Sequence, residues 1–170
     1  MDLRPHPACL TDEELLRECE IQFLRRGGPG GQHRNKTESA VVFLHKPTKL
    51  TAEANERRSQ ADNRRLALIR LRLVLALNVR SVDVPGDQPS ELWLSKCHNR
   101  RIHVATEHAD FPALLAELLD CCTVNAMELP GVVAHLNVSS SQVVRMLKQY
   151  PMAWTFFNQK RVEYGLARLL

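Results

Sequence analysis

Residues 39–78 read SAVVFLHKPTKLTAEANERRSQADNRRLALIRLRLVLALN, and the change of hydrophobic period inside this stretch decides the fold. Ser39 to His45 is rich in β-branched and aromatic residues (Val41, Val42, Phe43), which suit a pleated, half-buried strand. Pro47-Thr48 marks a turn, after which Leu50, Ala52 and Ala54 alternate and predict a further strand. From Ser59 to about Asn78 the period becomes helical. Leu68, Leu71 and Leu75 recur at helical spacing, with Ala67 and Val74 beside them. A helix of that length runs about 30 Å.

Towards the N-terminus, Ile21-Gln22-Phe23-Leu24 predicts another strand with Ile21 and Phe23 on one face. Thr11 followed by Glu14 has capping-box spacing and predicts a short helix, with Leu15 and Leu16 turned inward. Towards the C-terminus, Val84 to Ser90 (VPGDQPS) reads as a linker. Leu92-Trp93-Leu94 and Arg101 to Val104 are predicted as two short strands. From Asp110 onward the pattern is helical: Asp110 is a candidate N-cap, a helix starts near Pro130, Ser139 or Ser140 caps the next, and Pro151 and Gly165 bracket the last. The expected fold class is α+β: a small N-terminal β-sheet packed on a long helix, then a C-terminal helical, helix-turn-helix-like domain. The expected divisions are 1–84, a linker with short strands over 85–109, and 110–170.

Within that last domain, Val132 to Leu147 has helix-turn-helix spacing. Leu136, Val138, Val143 and Leu147 fall at core positions, and Asn137 stands at the turn, where asparagine tolerates the left-handed conformation. Gln142, Arg145 and Gln149 are expected to face outward. The segment fits either a nucleic-acid contact or a three-helix packing module.

With 170 residues, 44% apolar and 25% charged, the chain has the composition of a globular protein with a real core. Its net charge of +4 is unevenly spread. Residues 21–80 carry thirteen basic and four acidic groups, whereas residues 81–170 carry eight and nine. A basic block on a balanced chain fits a polyanionic partner, RNA or DNA first, or a solvated helix face. Arg57, Arg58, Arg64 and Arg65 crowd the start of the long helix, where cations oppose the helix dipole. The most apolar stretch, Leu66 to Val79, is broken by Arg70 and Arg72, so no membrane span is expected. The first residues fit neither a signal nor a transit peptide, and five cysteines without framework spacing fit reduced thiols in a cytoplasmic protein. Cys97, His98, His103 and His108 lie close in sequence but match no compact finger, so no metal site is expected.

Between the first two predicted strands lies Gly27-Gly28-Pro29-Gly30-Gly31-Gln32. Neither GxxxxGK[ST] nor GxGxxG is present, and no helix follows directly, which excludes a phosphate-cradling nucleotide loop. Glycines permit close backbone approach, and His33-Arg34-Asn35-Lys36 adds donors beside them. On local physics, the loop fits either insertion into an anionic, RNA-lined pocket or a plain surface connection.

The string RRGGPGGQHRNKTESAVVFLHKPTKL, followed by ERRSQADNRRLALIRL, resembles the catalytic domain of peptide-chain release factors from about Glu20 to Val79. At its centre is the tripeptide Gly30-Gly31-Gln32, with Arg58-Ser59-Gln60-x-x-Asn63 as a second element downstream. The resemblance makes 1–84 a GGQ catalytic domain. It implies ribosome-dependent hydrolysis of the ester in P-site peptidyl-tRNA, carried out in the peptidyl transferase centre of the large subunit. It further implies that the Gln32 main-chain N–H helps bind water and stabilises the developing oxyanion. The Gln32 side chain shapes the pocket, and Gly30 and Gly31 permit the backbone conformation. His33 is not part of the tripeptide and is not expected to act as the base. Arg34, Lys36, Arg57, Arg58, Arg64 and Arg65 are the expected RNA-binding residues. Neither PxT nor SPF occurs, and the length leaves no room for a decoding region, so a short, codon-independent or ribosome-rescue type is expected. The last thirty residues depart from the basic tail of one rescue branch. No cofactor, no membrane partner and a monomer are expected. The alternative is a non-catalytic ribosome-binding or nucleic-acid-binding helix-turn-helix module.

Overall fold

The computed structural model describes residues 5–25, 39–81 and 88–170. The architecture is α+β, and the chain divides into two compact units. One is formed by Pro7–Leu75, the other by 76–170 together with His6.

The first unit opens with a short 3-10 turn (Pro7–Cys9) and helix α1 (Asp12–Arg17). The expected capping box is present. The Thr11 hydroxyl accepts from the Glu14 N–H, and the Glu14 carboxylate accepts from the Thr11 N–H at 2.9 Å. The Thr11 N–H and the Thr11 hydroxyl, both donating to that carboxylate, hold it below the usual carboxylate range. Leu15 is fully buried.

Strands β1 (Cys19–Leu24), β2 (Ala40–His45) and β3 (Thr51–Ala54) form an antiparallel sheet in that order. Phe43 pairs with Ile21 on one side and Ala52 on the other; Val41 pairs with Phe23 and Ala54. Period two therefore puts these residues on one face. Phe43, Val41, Ala52 and Ala54 are buried, while Phe23 on edge strand β1 is exposed. Buried His45 ties the elements together: its Nε2 lies 2.9 Å from the Glu18 carboxylate and its Nδ1 2.7 Å from the Thr48 hydroxyl.

Helix α2 (Gln60–Asn78) supplies the other side of this core through Ala67, Leu68, Leu71 and Leu75, as the helical spacing predicts. It continues into the second unit, where Ala76 and Leu77 are buried.

In the second unit one strand expectation fails. Leu92-Trp93-Leu94 belongs to helix α3 (Glu91–Lys96), not to a strand. The reason is a cap. The Ser90 hydroxyl accepts the Trp93 N–H at 3.0 Å, while Glu117 accepts from the Ser90 N–H at 2.7 Å. Within this helix Trp93 is buried and donates its Nε1–H to the Leu136 carbonyl at 2.9 Å. A two-residue hairpin follows, β4 (Cys97–His98) and β5 (Arg101–Ile102), turning through Asn99 and Arg100 with φ of 50° and 61°. Positive φ at both central residues is the primed turn that matches strand twist.

Helices α4 (Phe111–Val124), α5 (Leu129–Leu136), α6 (Ser140–Gln149) and α7 (Pro151–Glu163) complete the unit. Two expected caps occupy their positions without making the side-chain bond. The Asp110 carboxylate pairs with Lys96 at 3.0 Å, and the Ser139 hydroxyl lies 2.9 Å from that of Ser141. Asn137 takes the left-handed conformation (φ 49°, ψ 46°) between α5 and α6, and Leu136, Val138, Val143 and Leu147 are buried, as the helix-turn-helix spacing requires. Of the three residues expected to face outward, Arg145 is exposed. Gln149 and Gln142 are half-buried, and the Gln142 Oε1 is itself shielded from solvent, because α6 turns this side towards its neighbours.

Candidate functional site

The β1–β2 ladder closes at the pair Leu24–Ala40. Gly30, Gly31, Gln32, His33, Arg34 and Lys36, in the connection between these strands, lie outside the described residues. The frame at the connection's return is described. Ser39, just before β2, is buried, and its carbonyl accepts from the Asn63 side-chain amide at 2.7 Å. Asn63 is itself fully buried in the first turns of α2. The same amide donates to the Arg57 carbonyl at 2.9 Å, and the Asn63 Oδ1 accepts the Arg57 N–H at 2.9 Å. One side chain thus fixes both the return of the glycine-bearing segment and the approach to α2. An amide suits this role because it offers donors and an acceptor together, whereas a carboxylate offers acceptors only.

This role is what the sequence reading missed. Asn63 stood out only as the last member of Arg58-Ser59-Gln60-x-x-Asn63. The further signal was a polar, uncharged residue at a helical position that leads into Ala67 and Leu71.

The arginines of α2 and its approach separate into two groups. Arg70 donates to the Glu53 carbonyl at 2.8 Å and pairs with Glu56 at 2.6 Å. Arg72 donates to the Ala8 carbonyl at 2.9 Å and pairs with Asp12 at 2.7 Å. Both hold the first unit together. Arg57, Arg58, Arg64 and Arg65 are exposed, and among the described residues none meets a carboxylate at ion-pair distance. Among the described residues their positive charge is uncompensated, and it is exposed to an anionic partner.

All five cysteines are free thiols. Burial pushes the Cys121 thiol up to about 12 and that of Cys122 further up, so neither is a ready nucleophile. Among the described residues, no group of three or more His, Cys, Asp and Glu is placed to hold a metal ion. No helix among them is long and apolar enough to cross a membrane.

Residues 14–104 match the family model described as the RF-1 domain. The chain is 37% identical over 112 residues to the chloroplastic peptide chain release factor PrfB1 of Arabidopsis thaliana, covering 61% of this chain and 24% of that protein. It is 51% identical over 63 residues to peptide chain release factor 1 of Caldicellulosiruptor saccharolyticus, covering 37% of this chain and 17% of the relative. An uncharacterized, mitochondrial peptide chain release factor-like protein of Saccharomyces cerevisiae is 44% identical over 75 residues, 44% of this chain and 47% of its own. The chain thus spans less than half the length of each of these relatives.

Proposed function

From the premise that this chain belongs to the RF-1 domain family, we propose that it hydrolyses peptidyl-tRNA on the ribosome, in codon-independent termination or rescue of stalled ribosomes. The observation that carries the reading is Gly30-Gly31-Gln32 inside the matched region 14–104, in the β1–β2 connection whose return is held by Asn63.

The substrate is the ester between the nascent peptide and the 3′ end of P-site tRNA. Attack by water converts its carbonyl into an oxyanion. A main-chain N–H at Gln32 stabilises that charge without a charged side chain, and preorganised donors of this kind supply a large share of catalysis. The Gln32 side chain narrows the pocket to water. Gly30 and Gly31 leave the backbone free of a Cβ where it approaches the substrate. The large-subunit rRNA and the tRNA surround the reacting ester. Arg34, Lys36, Arg57, Arg58, Arg64 and Arg65 neutralise rRNA phosphates, a positioning role that carries no sequence information. Codon independence is the finer part of this reading, and release with and without a stop codon tests it. The protein acts as a monomer, without a cofactor, in the compartment that holds its ribosomes.

The test is peptide release from ribosomes stalled on an mRNA that ends in the P site, comparing the wild-type chain with Gly31→Ala. Wild-type release and loss of release in the variant, with unchanged melting, are expected. Release by the variant at the wild-type rate refutes the role of the tripeptide. A requirement for a stop codon in the A site refutes codon independence.

A further inference from the structure

We propose that the β4–β5 hairpin and the exposed face of α6 form one RNA-binding surface, on which Arg100, Arg101 and Arg145 take backbone phosphates of a structured RNA. The choice of RNA among polyanions rests on the ribosomal reading above; the surface itself rests on the placement of charge.

By count, residues 81–170 are nearly neutral, with eight basic and nine acidic groups. In the fold they are polarised. No Asp or Glu occurs in 92–106 or in 129–162, yet these two stretches hold seven of the eight basic residues. The fold joins them. The Ser139 N–H donates to the Arg100 carbonyl at 3.3 Å, the Arg100 guanidinium donates to the Val138 carbonyl at 3.4 Å, and Cys97 Sγ donates to the Asn137 carbonyl at 3.6 Å. The hairpin turn is therefore docked on the start of α6.

Four other cations of the two stretches have partners of their own, as Arg100 has in the Val138 carbonyl. Lys96 pairs with Asp110 and Lys160 with Glu163; Lys148 and Arg161 donate to the Leu170 and Met127 carbonyls. Arg100, Arg101 and Arg145 are left exposed, and none of them meets a carboxylate at ion-pair distance among the described residues. On α6, Ser141 and Arg145 are one turn apart on the side opposite buried Val143, Met146 and Leu147. Ser141 in turn touches Ser139 through their hydroxyls at 2.9 Å, so a continuous line runs from the hairpin turn along α6. Arg100 occupies a positive-φ turn position, and its guanidinium, bonded to the Val138 carbonyl, lies at the start of α6. Guanidinium forks match phosphate geometry, and serine hydroxyls add donors to phosphate oxygens.

The test uses the full chain and fluorescence anisotropy with a stem-loop RNA and a DNA hairpin of the same sequence, as a function of salt. Arg101→Gln/Arg145→Gln removes two exposed charges that form no ion pair among the described residues. Loss of two phosphate contacts lowers the log–log salt slope by about 1.8, so the tightening from roughly 200 to 50 mM salt shrinks about twelvefold. Arg100→Gln, measured separately, shifts the slope in the same direction. An unchanged slope and affinity in the folded double variant overturns the surface, and tighter binding to the DNA hairpin than to the RNA overturns the choice of partner. Peptide release by the wild-type chain is read in parallel. Its absence alongside an intact RNA difference sinks the hydrolase reading and supports this surface.

Discussion

Replacing Asn63 by alanine strips three main-chain groups of their partner at once. The Ser39 carbonyl, the Arg57 carbonyl and the Arg57 N–H lose bonds of 2.7, 2.9 and 2.9 Å. A hydrogen bond contributes about 0.5–1.5 kcal/mol net, and a buried group left without a partner costs about 1–3 kcal/mol. The Ser39 bond is buried and carries the upper figure; the two at Arg57 are part-buried and carry the lower. The expected destabilisation is therefore about 3–5 kcal/mol, a large part of an ordinary domain's stability of about 5–15 kcal/mol. Urea denaturation of the full chain measures the total. Two compact units need not unfold together, so amide exchange at Arg57 reads the local loss. Asn63→Asp keeps the shape but turns a carboxylate oxygen towards two carbonyls, and it should destabilise as strongly at neutral pH. Peptide release should fall in both variants, since the return of the glycine-bearing segment loses its anchor. A destabilisation by Asn63→Ala below about 1 kcal/mol, or unaltered exchange at Arg57, would show that the frame does not depend on this residue.

The two groups of arginines should separate experimentally. Reversing Arg58, Arg64 and Arg65 to glutamate should leave melting within about 0.5 kcal/mol while weakening ribosome binding and flattening its salt dependence. Arg72→Gln should destabilise the first unit, because the Arg72 bonds to the Ala8 carbonyl and to Asp12 are lost; the opposite pattern in a melting and binding series would reverse the assignment. Trp93→Phe should cost about 1–3 kcal/mol in denaturant titration, because it leaves the Leu136 carbonyl unpaired with little loss of apolar area; a neutral result would remove that bond from the account. Stability should fall on both sides of neutrality. Burial lowers the His6 pKa, so its contribution is present above the ordinary value of 6.5 and is lost as pH falls through the lower folded value. Burial raises the Cys121 thiol, so its contribution is present below the ordinary value of 9.0 and is lost as pH rises towards about 12. Melting temperature against pH checks both, and a Cys121→Ala variant that keeps the full alkaline loss would exclude the thiol as its source.

Local pattern was enough for the elements that one period and one cap define. Thr11 and Glu14 form the capping box, β2 and β3 alternate, α2 keeps its apolar stripe, and Asn137 takes the left-handed turn, because each of these depends on residues within a few positions of one another. The glycine tripeptide and its flanking blocks were equally plain as sequence. The short apolar run at Leu92-Trp93-Leu94 was ambiguous, since three residues cannot separate period two from a single helical turn. It was settled by contacts far away in sequence: Glu117 holds the Ser90 cap, and Leu136 takes the Trp93 indole. Asn63 is a similar case, because a polar residue in a basic stretch reads as solvated until Ser39 comes to lie against it. Charge behaved likewise. Summing over 81–170 hid the basic face, which exists because folding brings the acid-free hairpin to the acid-free helix α6, while Asp120, Asp110 and Glu163 pair with Arg80, Lys96 and Lys160. Hydrophobic period and capping are short-range and can be read along the chain; hydrogen-bond partnership and charge compensation depend on which distant groups meet, and only tertiary packing decides that.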